Sequence, residues 1–146
     1  MTSLQLKQII RLYSCEMKKV HVVAGIVEFD RDYLCVQRGP NKLPYIHQKW
    51  EFPGGKLEEG ESAEEALIRE LKEELNLDVH SLRYLITVNH EYPDFIIEMD
   101  AYLCKSNTLS YELREHINAK WLRADEMDSL DWAAADLPIV DALKNV

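Results

Sequence analysis

A chain of 146 residues is long enough for one domain with a complete core, and 47% hydrophobic with 29% charged residues describes a folded globular protein. A net charge of −9 argues against nonspecific binding to duplex DNA or RNA, which needs a basic footprint. It leaves a free nucleotide open as ligand, because divalent cations bridge acidic protein and phosphate.

No apolar run approaches the ~20 residues that cross a bilayer. The N-terminus lacks the basic start, apolar centre and small-residue cleavage site of a secreted chain. Cytoplasmic residence is therefore expected. Cys15, Cys35 and Cys104 are widely spaced and form no CxxC pair, so reduced thiols with packing roles are expected.

Residues 1–16 read as an appended extension, with Leu4, Leu6, Ile9, Ile10, Leu12 and Tyr13 able to form one short amphipathic helix. A single domain is expected over residues 17–146. Residues 20–29 are rich in β-branched side chains and predict a strand. A turn at 30–32 and a return strand at 33–37 make a hairpin. Residues 39–49 form a polar loop with two prolines and His47. Residues 50–52 predict a short strand that runs into Pro53-Gly54-Gly55, where glycine permits positive φ and close approach of backbone to a ligand.

A helix is expected from about residue 63 to Leu75. Ser62 followed by Glu65 is the pattern of a capping box, and Asn76 stands where a left-handed cap falls. At about 100° per residue, Leu67, Ile68, Leu71 and Leu75 share one arc. Glu70, Glu73 and Glu74 fall on the neighbouring arc with Ala63 and Ala66. Eight glutamates stand between Glu58 and Glu74, those two included. Like charges at helical spacing cost roughly 0.2–0.5 kcal/mol per pair, so acids gathered beside a core call for a counter-charge. Oxygen-rich clusters suit Mg²⁺ or Mn²⁺. A solvated acidic face is the alternative on charge alone.

Strands are expected at 79–90 and 95–105, joined by the turn Glu91-Tyr92-Pro93-Asp94 into a second hairpin. A loop at 111–118 carries Glu112, Glu115 and His116. A strand follows at 119–123 and a helical turn at 124–129. Asp136 is a plausible N-cap of the last helix, with Ile139, Val140 and Leu143 as its apolar side. Strands interrupted by one helix and closed by another suggest a mixed sheet packed between helices.

Gly55, five residues, Glu61, seven residues, then Arg69-Glu70-Leu71-Lys72-Glu73-Glu74-Leu75-Asn76-Leu77 resembles the Nudix box, Gly-x5-Glu-x7-Arg-Glu-U-x-Glu-Glu-x-Gly-U. One specified position departs, Asn76 for the final glycine, and asparagine tolerates the same left-handed geometry. The resemblance covers roughly residues 18–144 and implies the Nudix fold, an α/β/α sandwich around a mixed β-sheet.

The resemblance implies phosphoanhydride hydrolysis. Metal ions neutralise the anionic oxygens and lower the pKa of bound water, carboxylates hold them, and a further carboxylate takes the proton. Glu70, Glu73 and Glu74 are the implied metal ligands, with the Gly55 carbonyl and Glu115 as further ones. Arg69 orients a glutamate, and Glu61 supports the site from behind. Glu115 is the implied general base and Glu112 the fallback. Arg38 and Lys56 are expected on phosphate, and Tyr92 and Phe95 beside the base.

The segment from Trp50 to Lys56 is similar to that of MutT-like and CTP-hydrolysing members. Asp136 stands in the base-reading segment, where family members that act on 8-oxo-dGTP carry asparagine, and Phe95 stands where they carry arginine. Both departures favour cytosine or a broader range over oxidised guanine alone. The implied reaction is hydrolysis of (d)NTP to (d)NMP and diphosphate with Mg²⁺, or Mn²⁺ in its place, by a monomer or homodimer. The expected substrates are CTP, dCTP, modified nucleotides or 8-oxo-dGTP. ADP-ribose or dinucleoside polyphosphates are the alternative substrates. A noncatalytic nucleotide-binding regulatory domain is the alternative outside catalysis.

Overall fold

The computed structural model describes residues 2–5 and 17–146. Most of the proposed N-terminal helix, and Cys15 with it, lies outside the described residues.

Seven strands form one sheet: β1 (Lys18–Phe29), β2 (Asp32–Gln37), β3 (Trp50–Glu51), β4 (Gly54–Lys56), β5 (Val79–Glu91), β6 (Phe95–Ser106) and β7 (Asn118–Leu122). The central path runs β3-β2-β1-β6-β5, with β4 beside β1 and β7 beside β2. β1 and β6 pair in parallel over their length while the other pairs are antiparallel, so the sheet is mixed. Two α-helices pack on it, α1 (Ala63–Leu75) and α2 (Leu137–Leu143).

Alternation along β1 builds the sandwich. Val23 and Val27 point to one face and join Leu67, Leu71 and Leu75 of α1. Ala24 and Ile26 point to the other and join Ile139, Val140 and Leu143 of α2. Each fully buried leucine contributes roughly 1.5–3 kcal/mol of apolar transfer. Cys35 and Cys104 are buried free thiols, one in each core, and burial pushes both thiol pKa values up to about 12. They serve packing, as expected.

The hairpin β1–β2 turns on Asp30 and Arg31, both at positive φ (50° and 71°), the backbone of the tight turns that match strand twist. At the start of α1 the Ser62 hydroxyl takes the Glu65 N–H at 3.1 Å, one half of a capping box. At its end Asn76 is left-handed (φ 49°), and its own N–H reaches the Lys72 carbonyl at 3.0 Å in an αL cap.

Three expectations are corrected. Ile68 lies at the edge of the apolar arc and is 48% exposed, because the buried stripe is centred on Leu67, Leu71 and Glu74. Gly54 and Gly55 do not take positive φ, since Gly60 is the glycine that does among the described residues. They form β4, unforeseen as a strand, and their use is close approach. Asp136 does not cap α2, for its side chain makes no cap bond and turns into the core instead.

Candidate active site

Glu74 sits seven residues after Leu67, on the same line of α1, and so is carried into the buried face. It is 7% exposed, and its Oε2 has no hydrogen-bond partner among the described residues. Burial, then the charges of Glu70, Glu115 and Glu51, push its pKa far above the carboxylate range. An orphaned buried oxygen ringed by acids is costly unless a cation neutralises it.

Glu70 is packed against β4. A Cβ at Gly55 would meet the Glu70 carboxyl carbon at 2.4 Å, so the missing side chain lets the carboxylate lie on the β4 backbone. Gly54 has a sterner constraint, because a Cβ there would stand 1.9 Å from the Val23 carbonyl oxygen. These two glycines bring β4 against both β1 and α1.

Arg69 ties the acids together from outside. It donates to Glu61 at 2.7 and 2.9 Å, to Glu70 at 3.0 Å, to Glu73 at 3.2 Å and to the Lys56 carbonyl at 3.2 Å. Hydrogen bonding to Arg69 holds the Glu61 pKa down at about 2, and the same bonds raise that of Arg69. Glu73 is bound to this arginine and exposed, and it lines neither of the clefts described below.

The loop after β6 closes the C-terminal end of α1. Glu112 N–H bonds to the Leu75 carbonyl at 2.9 Å and Arg114 N–H to the Glu74 carbonyl at 3.3 Å. The Arg114 guanidinium reaches the Lys72 and Glu73 carbonyls at 3.3 and 3.2 Å. A cation on helix-end carbonyls is favoured by the helix dipole. This clamp sets the next residue, Glu115, beside Glu74, and both line an acidic cleft of about 300 Å³. Glu112 is instead spent on Arg114 and Asn76.

A second, largely apolar cleft of about 390 Å³ lies against β1 and β6. Arg38, Lys56, Tyr92, Phe95 and Asp136, all expected at the substrate, line it. Arg38 and Glu51 line both clefts and so form their common wall. Arg38 Nε donates to both Glu51 oxygens at 3.0 Å, and the charge of Glu51 raises the arginine pKa. Asp136 Oδ1 accepts the Phe52 N–H at 3.0 Å. Burial and the Glu51 charge raise its pKa well above the usual value.

Tyr92 is not a free stacking platform. Tyr45 stacks on it with centroids 4.9 Å apart, and its hydroxyl accepts the Ala135 N–H at 3.0 Å. Phe95 leans on the same ring at 5.3 Å. Tyr45 also hydrogen-bonds Asp94, so the loop after β2 is fastened across the turn before β6. His47, from that loop, accepts the Asn41 N–H at 3.0 Å.

Sequence reading missed Glu51, Lys18, Tyr45 and the role of His116. For Glu51 a signal existed: an acid between Trp50 and Phe52 in a strand must face opposite to both rings. For Lys18 it was the alternation Lys18, Val20, Val22, which all line the apolar cleft. Tyr45 carried no local signal.

The residues present fit a divalent cation: clustered carboxylates, a buried unpartnered oxygen, and a backbone at Gly55 stripped of side chain. Among the described residues no three acid, imidazole or thiol groups already converge as a formed metal cluster.

A mixed sheet between helices, with an acidic helix laid on a double-glycine strand, defines the class. The chain belongs to the NUDIX family, whose domain matches residues 19–143. Among curated relatives, the CTP pyrophosphohydrolase of Escherichia coli is 34% identical over 126 residues, 86% of this chain and 92% of that one. An 8-oxo-dGTP diphosphatase of Proteus vulgaris is 40% identical over 88 residues, 60% of this chain and 78% of that one. The solution structure of the E. coli ORF135 protein superposes with a TM-score of 0.73 at 32% identity, covering 88% of this chain and 91% of that one.

Proposed function

We propose that this protein is a nucleoside triphosphate diphosphatase, converting (d)NTP and water to (d)NMP and diphosphate, with Mg²⁺ as its metal and Mn²⁺ able to replace it. The observation that carries this reading is the common wall. A cleft of nucleoside size, apolar with one carboxyl at its floor, meets an acidic cleft across Arg38 and Glu51. A ligand with a flat ring at one end and a polyanion at the other fits that pair.

Glu70, Glu74 and the Gly55 carbonyl would hold the metal, with Glu115 at its edge and Glu73 in support. The metal, when bound, neutralises the phosphate oxygens and lowers the pKa of bound water. The chain's own residues do the rest. Arg69 orients Glu70 and keeps Glu61 ionised behind it. Arg38 offers positive charge at the wall between the clefts, and Lys56 offers it within the apolar cleft. Glu115, exposed and beside Glu74, takes the proton of the attacking water.

The base rests against Phe95 and Tyr92, which line the apolar cleft, with Asp136 at its edge. A carboxylate there accepts from an exocyclic amine, and protonated it donates to a ring acceptor. Cytosine nucleotides, plain or modified, are the favoured substrates, and 8-oxo-dGTP is the second. Relatives named for CTP and for 8-oxo-dGTP support both. We take residues 17–146 as the catalytic unit, residues 1–16 as an extension, and the cytoplasm as its place, in keeping with two free buried thiols.

The test is Mg²⁺-dependent release of diphosphate from CTP, dCTP, 5-methyl-dCTP and 8-oxo-dGTP, compared by kcat/KM, with ADP-ribose as control. Cytosine nucleotides should lead. Turnover of ADP-ribose alone would overturn the substrate, and tight binding without any turnover would overturn catalysis.

A further inference from the structure

We propose that His116 is a positioning residue for substrate phosphate, acting through Glu51 on Arg38. The proposal rests on the reading of the site as a nucleoside triphosphate diphosphatase.

His116 Nε2 stands 3.1 Å from Glu51 Oε1. Glu51 already accepts from Arg38 through both oxygens, so the hydrogen of this contact belongs to the imidazole. The chain His116–Glu51–Arg38 thus runs donor to acceptor to donor. Its histidine is 7% exposed, whereas the arginine is 47% exposed. The buried end anchors the carboxylate and the open end faces solvent at the wall between the clefts.

Only Nε of Arg38 is used by Glu51. Among the described residues its two terminal nitrogens have no recorded partner, which leaves the flat edge that pairs with phosphate. A guanidinium held by Nε alone can swivel with its carboxylate. A second donor on that carboxylate stops it.

His116 is itself held. Ile117 N–H bonds to the Gln37 carbonyl at 3.0 Å, and Arg38 N–H bonds to the Lys49 carbonyl at 3.0 Å. Both ends of the chain therefore stand on the backbone at the end of β2. His116 Nδ1 is buried with no partner among the described residues. A side chain serving only to fill space would carry no such orphan, since an apolar residue fills the same volume without one. What the imidazole adds over an apolar group is the Nε2–H bond to Glu51.

The experiment is a mutant cycle on nucleoside triphosphate turnover with Mg²⁺, using His116→Leu, His116→Met, His116→Gln and Arg38→Ala. Leu and Met remove the donor and should raise KM about tenfold with kcat nearly unchanged. Gln restores a donor and should recover most of that loss. In the Arg38→Ala background His116→Leu should add less than about twofold, because its route is already cut.

A fall in kcat at constant KM, a Gln variant as poor as Leu, or losses that multiply in the double variant would each overturn the proposal. So would failure of both Leu and Met variants to fold, which would make the role structural. A wild-type protein that turns over no nucleotide sinks the diphosphatase reading and this proposal with it. An active wild type whose variants miss the pattern sinks this proposal alone.

Discussion

Asp136 and Phe52, 84 positions apart, are joined by a hydrogen bond from the Phe52 N–H to Asp136 Oδ1 at 3.0 Å inside the protein. The bond takes one carboxyl oxygen into the core and sets the residue at the floor of the apolar cleft. Burial there makes Asp136 a liability for stability, which the Phe52 bond offsets only in part. Its folded pKa lies well above 3.8, through burial first and Glu51 second.

For such a group the folded state holds its proton after the unfolded state has released it. Its stability is whole below the unfolded pKa and is lost as pH rises toward the folded one. An asparagine in its place would keep the acceptor and remove the ionisation. Asp136→Asn should therefore raise Tm at neutral pH by about 2–4 °C, the shift that ~1 kcal/mol gives a chain of this size. The gain should shrink to nothing as pH falls below about 4. Thermal unfolding of both proteins across pH checks this; a gain that persists in acid would contradict it.

Glu74 carries the same conflict at the proposed metal site. With Oε2 unpartnered and Glu70 and Glu115 as charged neighbours, the metal-free protein is strained by its own acids. Glu74→Gln should leave the fold intact, raise the metal-free Tm, and abolish most of the rise in Tm that Mg²⁺ gives the wild type. Turnover should fall at least about a hundredfold if Glu74 is the metal ligand proposed above. Calorimetry in chelator and in Mg²⁺, beside an activity assay, separates the effects. Wild-type turnover in this variant would remove Glu74 from the metal site.

Much of this was legible in the sequence. The β-branched run of β1, the Ser62 start and the Asn76 end of α1 all obey local rules. The place of the carboxylates beside the core followed from helical angle alone. What was not legible depends on pairs distant in sequence. That β4 is a strand at all follows from its register on β1, Ala24 opposite Gly54, which no local pattern records. Asp136 has a capping residue's sequence context, and only the Phe52 amide from another element turns it inward. Tyr45 backs the cleft wall through Tyr92 and Asp94, nearly fifty residues on.

The two glycines of β4 should respond differently to the same methyl group. At Gly54 the added carbon would press on the Val23 carbonyl at 1.9 Å, which is backbone. Gly54→Ala should part β4 from β1 and cost several kcal/mol, above the ~1–3 kcal/mol typical of overpacking. At Gly55 the obstacle is the Glu70 carboxyl at 2.4 Å, the end of a flexible side chain. Gly55→Ala should cost less stability but more function, because Glu70 must leave its place. Urea midpoints set beside kcat/KM will separate the pair. Equal loss of stability in both would refute the distinction.

Arg69 gives the last prediction, in acid. It is the main reason the Glu61 pKa falls from 4.5 to about 2, through bonds of 2.7 and 2.9 Å. A lowered folded pKa means stability that is present above the unfolded value and lost as pH falls through the folded one. The wild type should therefore lose this contribution between about pH 4.5 and about pH 2. Arg69→Lys keeps the charge but cannot bridge Glu61, Glu70 and the Lys56 carbonyl at once. Its stability should depend less on pH over that interval, and its Mg²⁺ affinity should drop because Glu70 is no longer steered. Unfolding titrations from neutral pH downward read the first effect and metal-binding calorimetry the second. An unchanged acid slope in Arg69→Lys would show that Glu61 is held by its other bonds, to the Glu58 backbone.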